Sequence, residues 1–386
     1  MSEVPVQSTF VPFANPRQAF NLRRNEILHA VARVFDSGHY ILGPEVDAFE
    51  KAFASYLGIA HVIGCGSGTD AVELALRGLD VGINKAVFTV SHTAVATVAA
   101  IERMGAVPVL VDIDPATYTM APASLEEALA HVSKTRPDLI PSAIVPVHLY
   151  GHPCDMDAIL ALAEKYSCMV IEDCAQAHGA RFKGRLAGTM GTAATFSFYP
   201  TKNLGALGDA GAVAVNDAAL AEKLSAIRQY GWKERYISAE PGINSRLDPV
   251  QAAILSIQLE HLDVDNAARK LTAATYEAGF ATCGLVLPVV APWAEHVFHL
   301  YVARCSERSA FMDFLKDRGI GTAVHYPMPV HLQPAYKGRI LIAPGGLPVT
   351  EEIAASLVSL PMFPQLSGIE VARVCSAVRE WACAGG

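Results

Sequence analysis

Between about Ala60 and Asn216, short apolar runs alternate with segments in which apolar residues recur every three or four positions. The runs AHVIGC (60–65), KAVFTV (85–90), VPVLVDI (107–113), AIVPVHL (143–149), CMVIED (168–173), ATFSFY (194–199) and GAVAVN (211–216) read as strands. Between several of them, DAVELALRGL, TAVATVAAIERMG, SLEEALAHV and DMDAILALAEKYS have the helical period. The strands are rich in Val and Ile and lack the polar alternation of a half-solvated sheet, so both of their faces are covered. The pattern predicts an α/β fold built on a large, mostly parallel, doubly wound sheet.

The texture changes after Gly242. A long helical stretch from Pro249, a strand in FHLYVARC, a helix in SAFMDFLKDRG, a strand near GTAVHY and a last helix ending near Trp381 make an α+β pattern with its own small sheet. The boundary falls near 243–250. This gives a large domain, 1–245, preceded by an N-terminal arm, and a smaller C-terminal α+β domain, 246–386. A chain of 386 residues is long enough for both.

Composition narrows the partners. The net charge is −8 and no run of Lys or Arg occurs, which argues against a nucleic-acid partner. The eight cysteines are scattered, with no CxxC pair and no His/Cys cluster at zinc spacing. They read as small buried hydrophobes in a reducing compartment, with no metal site. The start, MSEVPVQSTFVPFANPRQ, lacks the basic and apolar stretches of a signal peptide, and no later run approaches the ~18 apolar residues of a membrane helix. The expected location is therefore the cytoplasm.

Three segments could carry chemistry. GCGSGTDA (64–71) joins a strand to a helix, and small residues there let free N–H groups approach a phosphate. A bland tight turn fits it equally well, while a dinucleotide fingerprint would need glycine at Thr69. VIEDCAQAHGA (170–180) puts two carboxylates at the end of a buried strand, where open α/β sheets bind ligands. Asp173 there calls for a cation or hydrogen bonds, although a local cap would also explain it. In ATFSFYPTKNLGALGDAGAV (194–213), Lys202 follows a strand in apolar company that could lower its pKa enough for covalent chemistry with a carbonyl. Alone, it reads more readily as a solvated surface lysine, as most lysines after strands are. Phosphate turn, strand-end acid and lysine come in that order, each at a strand end of one sheet, and together they are the three anchors of a pyridoxal-phosphate site.

The strings GSGTDAVELAL, SHTAVATVAAIE, VHLYGHPCDMDAI, IEDCAQAHGA, FSFYPTKNLGALGDAGAV and INSRLDPVQAAIL resemble the DegT/DnrJ/EryC1/StrS family of pyridoxal-phosphate-dependent sugar aminotransferases, over a span from about Tyr40 to Pro364. The resemblance implies a fold-type-I aminotransferase with a seven-stranded large domain, a small C-terminal domain and a homodimer with shared active sites. By motif, Lys202 would bind the cofactor covalently, Asp173 would pair with the pyridine nitrogen, and Gln176 would lie against the ring. Ser197, Gly68 and Thr69 would hold the phosphate, with Asn244 reaching it from the neighbouring subunit. Arg246, His325 and Tyr326 would contact the nucleotide sugar.

One position departs from the family pattern. Many relatives stack an aromatic residue over the ring where this chain has Ala94, and His92, two residues earlier, is the candidate replacement or else a structural histidine. Glutamine rather than histidine at Gln176 resembles relatives that act at C3. The expected reaction is thus transfer of an amino group from an amino acid, expected to be L-glutamate, to a nucleotide-linked 3-keto-6-deoxyhexose. Amination of a 4-keto nucleotide sugar or of a keto-inositol, and a non-catalytic regulatory role, are the alternatives.

Overall fold

A computed structural model describes residues 10–384, so the outermost ends of both expected domains lie outside the described residues. Seven strands match the apolar runs: β1 (His61–Cys65), β2 (Lys85–Val90), β3 (Val107–Val111), β4 (Ile140–Ile144), β5 (Met169–Asp173), β6 (Ala193–Ser197) and β7 (Gly211–Val215). An eighth, β8 (Leu341–Ile342), comes from the C-terminal part of the chain and pairs parallel to β3 at the sheet edge. The spatial order is β1-β7-β6-β5-β4-β2-β3-β8.

From β6 to β8 every pairing is parallel, while β7 runs antiparallel to both β6 and β1. Two reversals restore the direction, so β1, β5 and β6 all end at the same edge of the sheet. That edge receives the glycine-rich turn after β1, the acid at the end of β5 and the lysine after β6. Helices supply the covered faces. One core cluster joins Ile63, Val87, Ile171 and Val213 to Leu74 of helix Gly68–Gly78, and another joins Phe88, Val111 and Ile144 to Leu125, Leu129 and Ile159.

Several expected elements differ. The run AIVPVHL is strand only to Ile144, since Pro146 has no N–H to give and Val147 keeps a single bridge to Asp173. The long helical stretch after Pro249 is two helices, Pro249–Glu260 and Leu262–Phe280, meeting at His261. GTAVHY forms no strand; Ala323 makes one isolated bridge to Ser359. The small sheet of the C-terminal part is the antiparallel pair Tyr301–Arg304 and Leu357–Leu360. No helix among the described residues is long and apolar enough to cross a membrane.

Candidate active site

A cavity of about 280 Å³ opens at the shared strand edge, and Gly68, Thr69, Asp173, Gln176, Ser197 and Lys202 line it together with Ala94, Thr97, Tyr199 and Asp209. One end is the start of helix Gly68–Gly78. Ser67 caps that helix by accepting the Asp70 N–H at 3.1 Å, and the Ala71 N–H bonds to the Ser67 carbonyl, leaving the N–H groups of Gly68 and Thr69 for a ligand. The fit is tight. A Cβ on Gly68 would sit 2.5 Å from Ser197 Cβ, and one on Gly211 would sit 2.3 Å from the Ser67 carbonyl oxygen. Glycine is thus the residue that lets the turn lie against the ends of β6 and β7. The turn is also tied to the segment around residue 245: Ser245 Oγ accepts the Gly66 N–H and donates to Asp70 Oδ2, both at 2.9 Å.

At the other end, Asp173 is 5 % exposed. Thr97 Oγ1 donates to its Oδ2 at 2.8 Å and the Ala175 N–H to its Oδ1 at 3.1 Å. Burial raises its pKa, and these two bonds with the Lys202 charge oppose the rise. A carboxylate so placed has acceptor capacity left and, among the described residues, no cation bonded to it, so a protonated ring nitrogen in the cavity would answer both conditions.

Glu172, next in the chain, points to the other face of β5 as strand alternation requires. Its carboxylate accepts the N–H groups of Gly188, Met190 and Gly191 at 2.7–2.8 Å and contacts His148 Nε2 at 3.0 Å. Burial works to raise its pKa, but His148 and the N–H groups more than offset this and leave it below its ordinary value. The Cys154 N–H donates to His148 Nδ1 at 2.9 Å, so the ring's one proton sits on Nε2 and goes to Glu172. His148, Glu172 and Cys174 approach within 4.8 Å of one another. Their His and Glu donors are already spent on the protein, which makes the trio a rigid base for the Asp173 strand end.

Lys202 lies five residues past β6. It keeps part of its surface because it borders the open cavity, yet the protein packed round it lowers its pKa to about 8, with Asp173 pulling the other way. At neutral pH about a tenth of such an amine is unprotonated, against far less than a hundredth for an ordinary lysine. Lys202, Asp173 and the Gly68–Thr69 turn thus face one space, and an amine, a buried carboxylate and a turn with free N–H groups fit the aldehyde, ring nitrogen and phosphate of pyridoxal phosphate.

Gln176 lines the same space with its amide locked: Oε1 accepts the Tyr150 N–H at 2.7 Å and Nε2 donates to Tyr326 Oη at 3.0 Å. The other expected residues lie outside this lining. Tyr326 is adjacent to the cavity through its bond to Gln176. His325 stacks on Phe13 at 5.3 Å between centroids and contacts Ser359 Oγ through Nδ1 at 2.9 Å. Asn244 is exposed, and Arg246 sits 5.8 Å from the Tyr230 ring centroid.

His92 requires correction. It is 1 % exposed, and its Nε2 lies 2.8 Å from Tyr150 Oη. Ala94, not His92, contributes to the cavity wall, so no aromatic ring from this segment covers the cavity. The imidazole is drawn inward because Tyr150 offers its ring N–H a buried acceptor.

Two contributors were not anticipated. Thr97 approaches Asp173 from the helix after β2, and no sequence spacing links the two. Tyr150 joins His92, Gln176 and the 325–326 segment, and its only prior sign was a tyrosine before a glycine in VHLYGHP.

Comparison with known proteins adds to this geometry. The profile of the DegT/DnrJ/EryC1/StrS aminotransferase family matches residues 21–379. The dTDP-3-amino-3,4,6-trideoxy-alpha-D-glucose transaminase of Streptomyces venezuelae is 46 % identical over 375 residues, covering 96 % of each chain. The dTDP-3-amino-3,6-dideoxy-alpha-D-galactopyranose transaminase of Aneurinibacillus thermoaerophilus is 46 % identical over 371 residues, covering 96 % of this chain and 99 % of its own. The crystal structure of S. venezuelae DesV in complex with a ketimine intermediate superposes with a TM-score of 0.91 at 46 % identity, over 97 % of this chain and 98 % of that one.

Proposed function

The chain belongs to the DegT/DnrJ/EryC1/StrS aminotransferase family, and from that premise we propose that it transfers an amino group from L-glutamate to C3 of a nucleotide-linked 3-keto-6-deoxyhexose. The observation that carries the chemistry is the convergence of Lys202, Asp173 and the Gly68–Thr69 turn on one cavity. Choice of C3 is supported by Gln176 and by the two dTDP-sugar transaminases above, whose names both place the amino group at C3 of a 6-deoxy sugar.

The protein is a pyridoxal-phosphate-dependent aminotransferase. When bound, the cofactor supplies an electron sink through which an amino group leaves the donor and enters the acceptor. This chain's residues do the rest. The N–H groups of Gly68 and Thr69, with the hydroxyls of Thr69 and Ser197, hold the phosphate, and the positive end of the helix favours its nearly two negative charges. Asp173, kept in place by Thr97 and the Ala175 N–H, holds the proton on the ring nitrogen. Lys202 Nζ would anchor the cofactor and, as a free amine, would be placed to move the proton at the donor's Cα. Gln176, with its amide fixed by Tyr150 and Tyr326, presents one orientation to the ring.

Assay of glutamate against a panel of 3-keto and 4-keto nucleotide sugars and a keto-inositol checks the reading. Amination of a 3-keto 6-deoxy sugar at least tenfold faster than of the others is expected; preference for a 4-keto sugar or a keto-inositol would overturn the assignment to C3. No amination at all, in protein that stays yellow with glutamate, would favour a regulatory role.

We also infer a homodimer with shared sites. An open groove lined by Phe20, Ile27, Leu28, Pro200 and Leu207 leaves Leu28 and Leu207 exposed and abuts the loop that carries Lys202. A subunit covering it would reach the mouth of the cavity. Exposed Asn244 is then free to serve the neighbour's phosphate turn. Lys202→Ala and Asn244→Ala subunits, each inactive, should recover up to about a quarter of wild-type activity when refolded together, because half of the dimers are mixed and one site in each has both groups. Recovery of nothing would remove the shared site.

A further inference from the structure

Tyr150 lies beside the cavity without lining it, and the mechanism above uses it only to orient Gln176. It is 3 % exposed and holds a φ of 60°, a left-handed backbone that a bulky side chain adopts only when its surroundings enforce it. Its N–H donates to Gln176 Oε1 at 2.7 Å, and Gln176 Nε2 donates to Tyr326 Oη at 3.0 Å. The Tyr150 hydroxyl donates to the carbonyl oxygen of His325. Because His325 and Tyr326 are consecutive, these bonds close a ring: one tyrosine grips a two-residue segment at both of its members.

The proton inventory gives the ring a direction. A phenol has a single hydrogen, and it is spent on the His325 carbonyl. The 2.8 Å contact between Tyr150 Oη and His92 Nε2 therefore runs from imidazole to phenol, which makes His92 the Nε2–H tautomer. His92 Nδ1, the bare nitrogen of that tautomer, is buried without a partner among the described residues. Burial pushes the His92 pKa down to about 4 and that of Tyr150 up, so neither group changes its proton near neutrality. His325 is also held by Ser359 on its ring, by Phe13 stacked against it and by the edge-on Tyr326 ring, and these act on the imidazole rather than on the carbonyl.

We propose that Tyr150, braced by His92, is a positioning residue for the acceptor half-reaction, fixing the His325–Tyr326 segment against Gln176 and so setting where the keto sugar lies. The proposal rests on the reading that His325 and Tyr326 contact the sugar. His92 then has no part in stacking on the cofactor ring; it acts on the sugar side of the site, through Tyr150.

Tyr150→Phe keeps the ring and removes one oxygen. In the holoenzyme, the KM for the best keto-sugar acceptor of the panel should rise about tenfold, the scale of one lost buried hydrogen bond, with a smaller change in kcat. The KM for glutamate, and the bleaching of the yellow holoenzyme by glutamate without acceptor, should be unchanged. Calorimetric titration should show affinity for dTDP-glucose falling about tenfold while affinity for dTDP alone stays the same. His92→Gln, which can still donate an N–H, should stay within about threefold of wild type, whereas His92→Leu should follow Tyr150→Phe. Equal damage to both half-reactions, or an unaltered sugar KM, would overturn the strut. If Tyr150→Phe does not fold, the His92 pair decides: equal behaviour of the Gln and Leu variants counts against the proposal. A wild type that aminates no sugar overturns the functional reading and the strut with it, whereas an active wild type with indifferent variants overturns the strut alone.

Discussion

Lys202→Ala is expected to yield a folded protein that no longer retains cofactor after borohydride reduction and denaturation, and whose transamination rate falls by at least the ~10²–10⁴ that a positioned general base contributes. The loss should exceed that range if anchoring and proton transfer both depend on the same amine. The pH dependence is a second signature. With its pKa lowered to about 8, Lys202 should capture added pyridoxal phosphate at a rate that falls about tenfold per pH unit below 8 and levels off above it. An ordinary lysine would show the same slope with its plateau displaced above pH 10. Stopped-flow mixing of cofactor-free protein with pyridoxal phosphate across pH 6–10 measures this. A cofactor adduct retained on another lysine in Lys202→Ala, or a plateau only above pH 10, would remove the role given to Lys202.

The large sheet was legible because burial on both faces leaves little room for polar residues, and all seven long strands showed as apolar runs. What local pattern could not give was the direction of β7 and the recruitment of Leu341–Ile342 to the sheet edge, since pairing partners far apart in sequence leave no mark on either segment. The same distinction holds at the site. Gly68, Asp173, Ser197 and Lys202 were readable because each stands at a strand end, and the topology brings strand ends together. Thr97 and Tyr150 act across gaps of 76 residues to Asp173 and 175 residues to His325, and their side chains have no composition or spacing that foretells it. His92 shows the limit of arguing from a neighbouring position. A shift of two residues along the chain, past the end of β2, turned the ring toward Tyr150 instead of the cavity.

Asp173→Asn should separate activity from stability, in opposite directions. Its carboxylate is nearly isosteric with the amide, and Thr97 and the Ala175 N–H can each find a partner on either, so the fold should persist. The amide carries no charge to hold the proton on the ring nitrogen. An ion pair of this kind shifts a pKa by one to three units, and each unit is worth a factor of about ten, so the catalytic rate should fall roughly 10- to 10³-fold. Stability of the cofactor-free protein should move the other way. Burial raises the folded-state pKa of Asp173 above its unfolded value, so the folded protein holds this proton more tightly than the unfolded chain does. The cost of ionising it is absent below the unfolded pKa, grows as pH rises between the two values, and is fully present above the folded one. At neutral pH the asparagine variant escapes that cost, and its cofactor-free form should melt at or above the wild-type temperature. Adding pyridoxal phosphate should then stabilise wild type more than the variant, because only wild type gains a cation for its buried carboxylate. A variant that keeps near-normal rates, or one whose cofactor-free form melts well below wild type, would show that Asp173 supports the fold rather than the ring nitrogen.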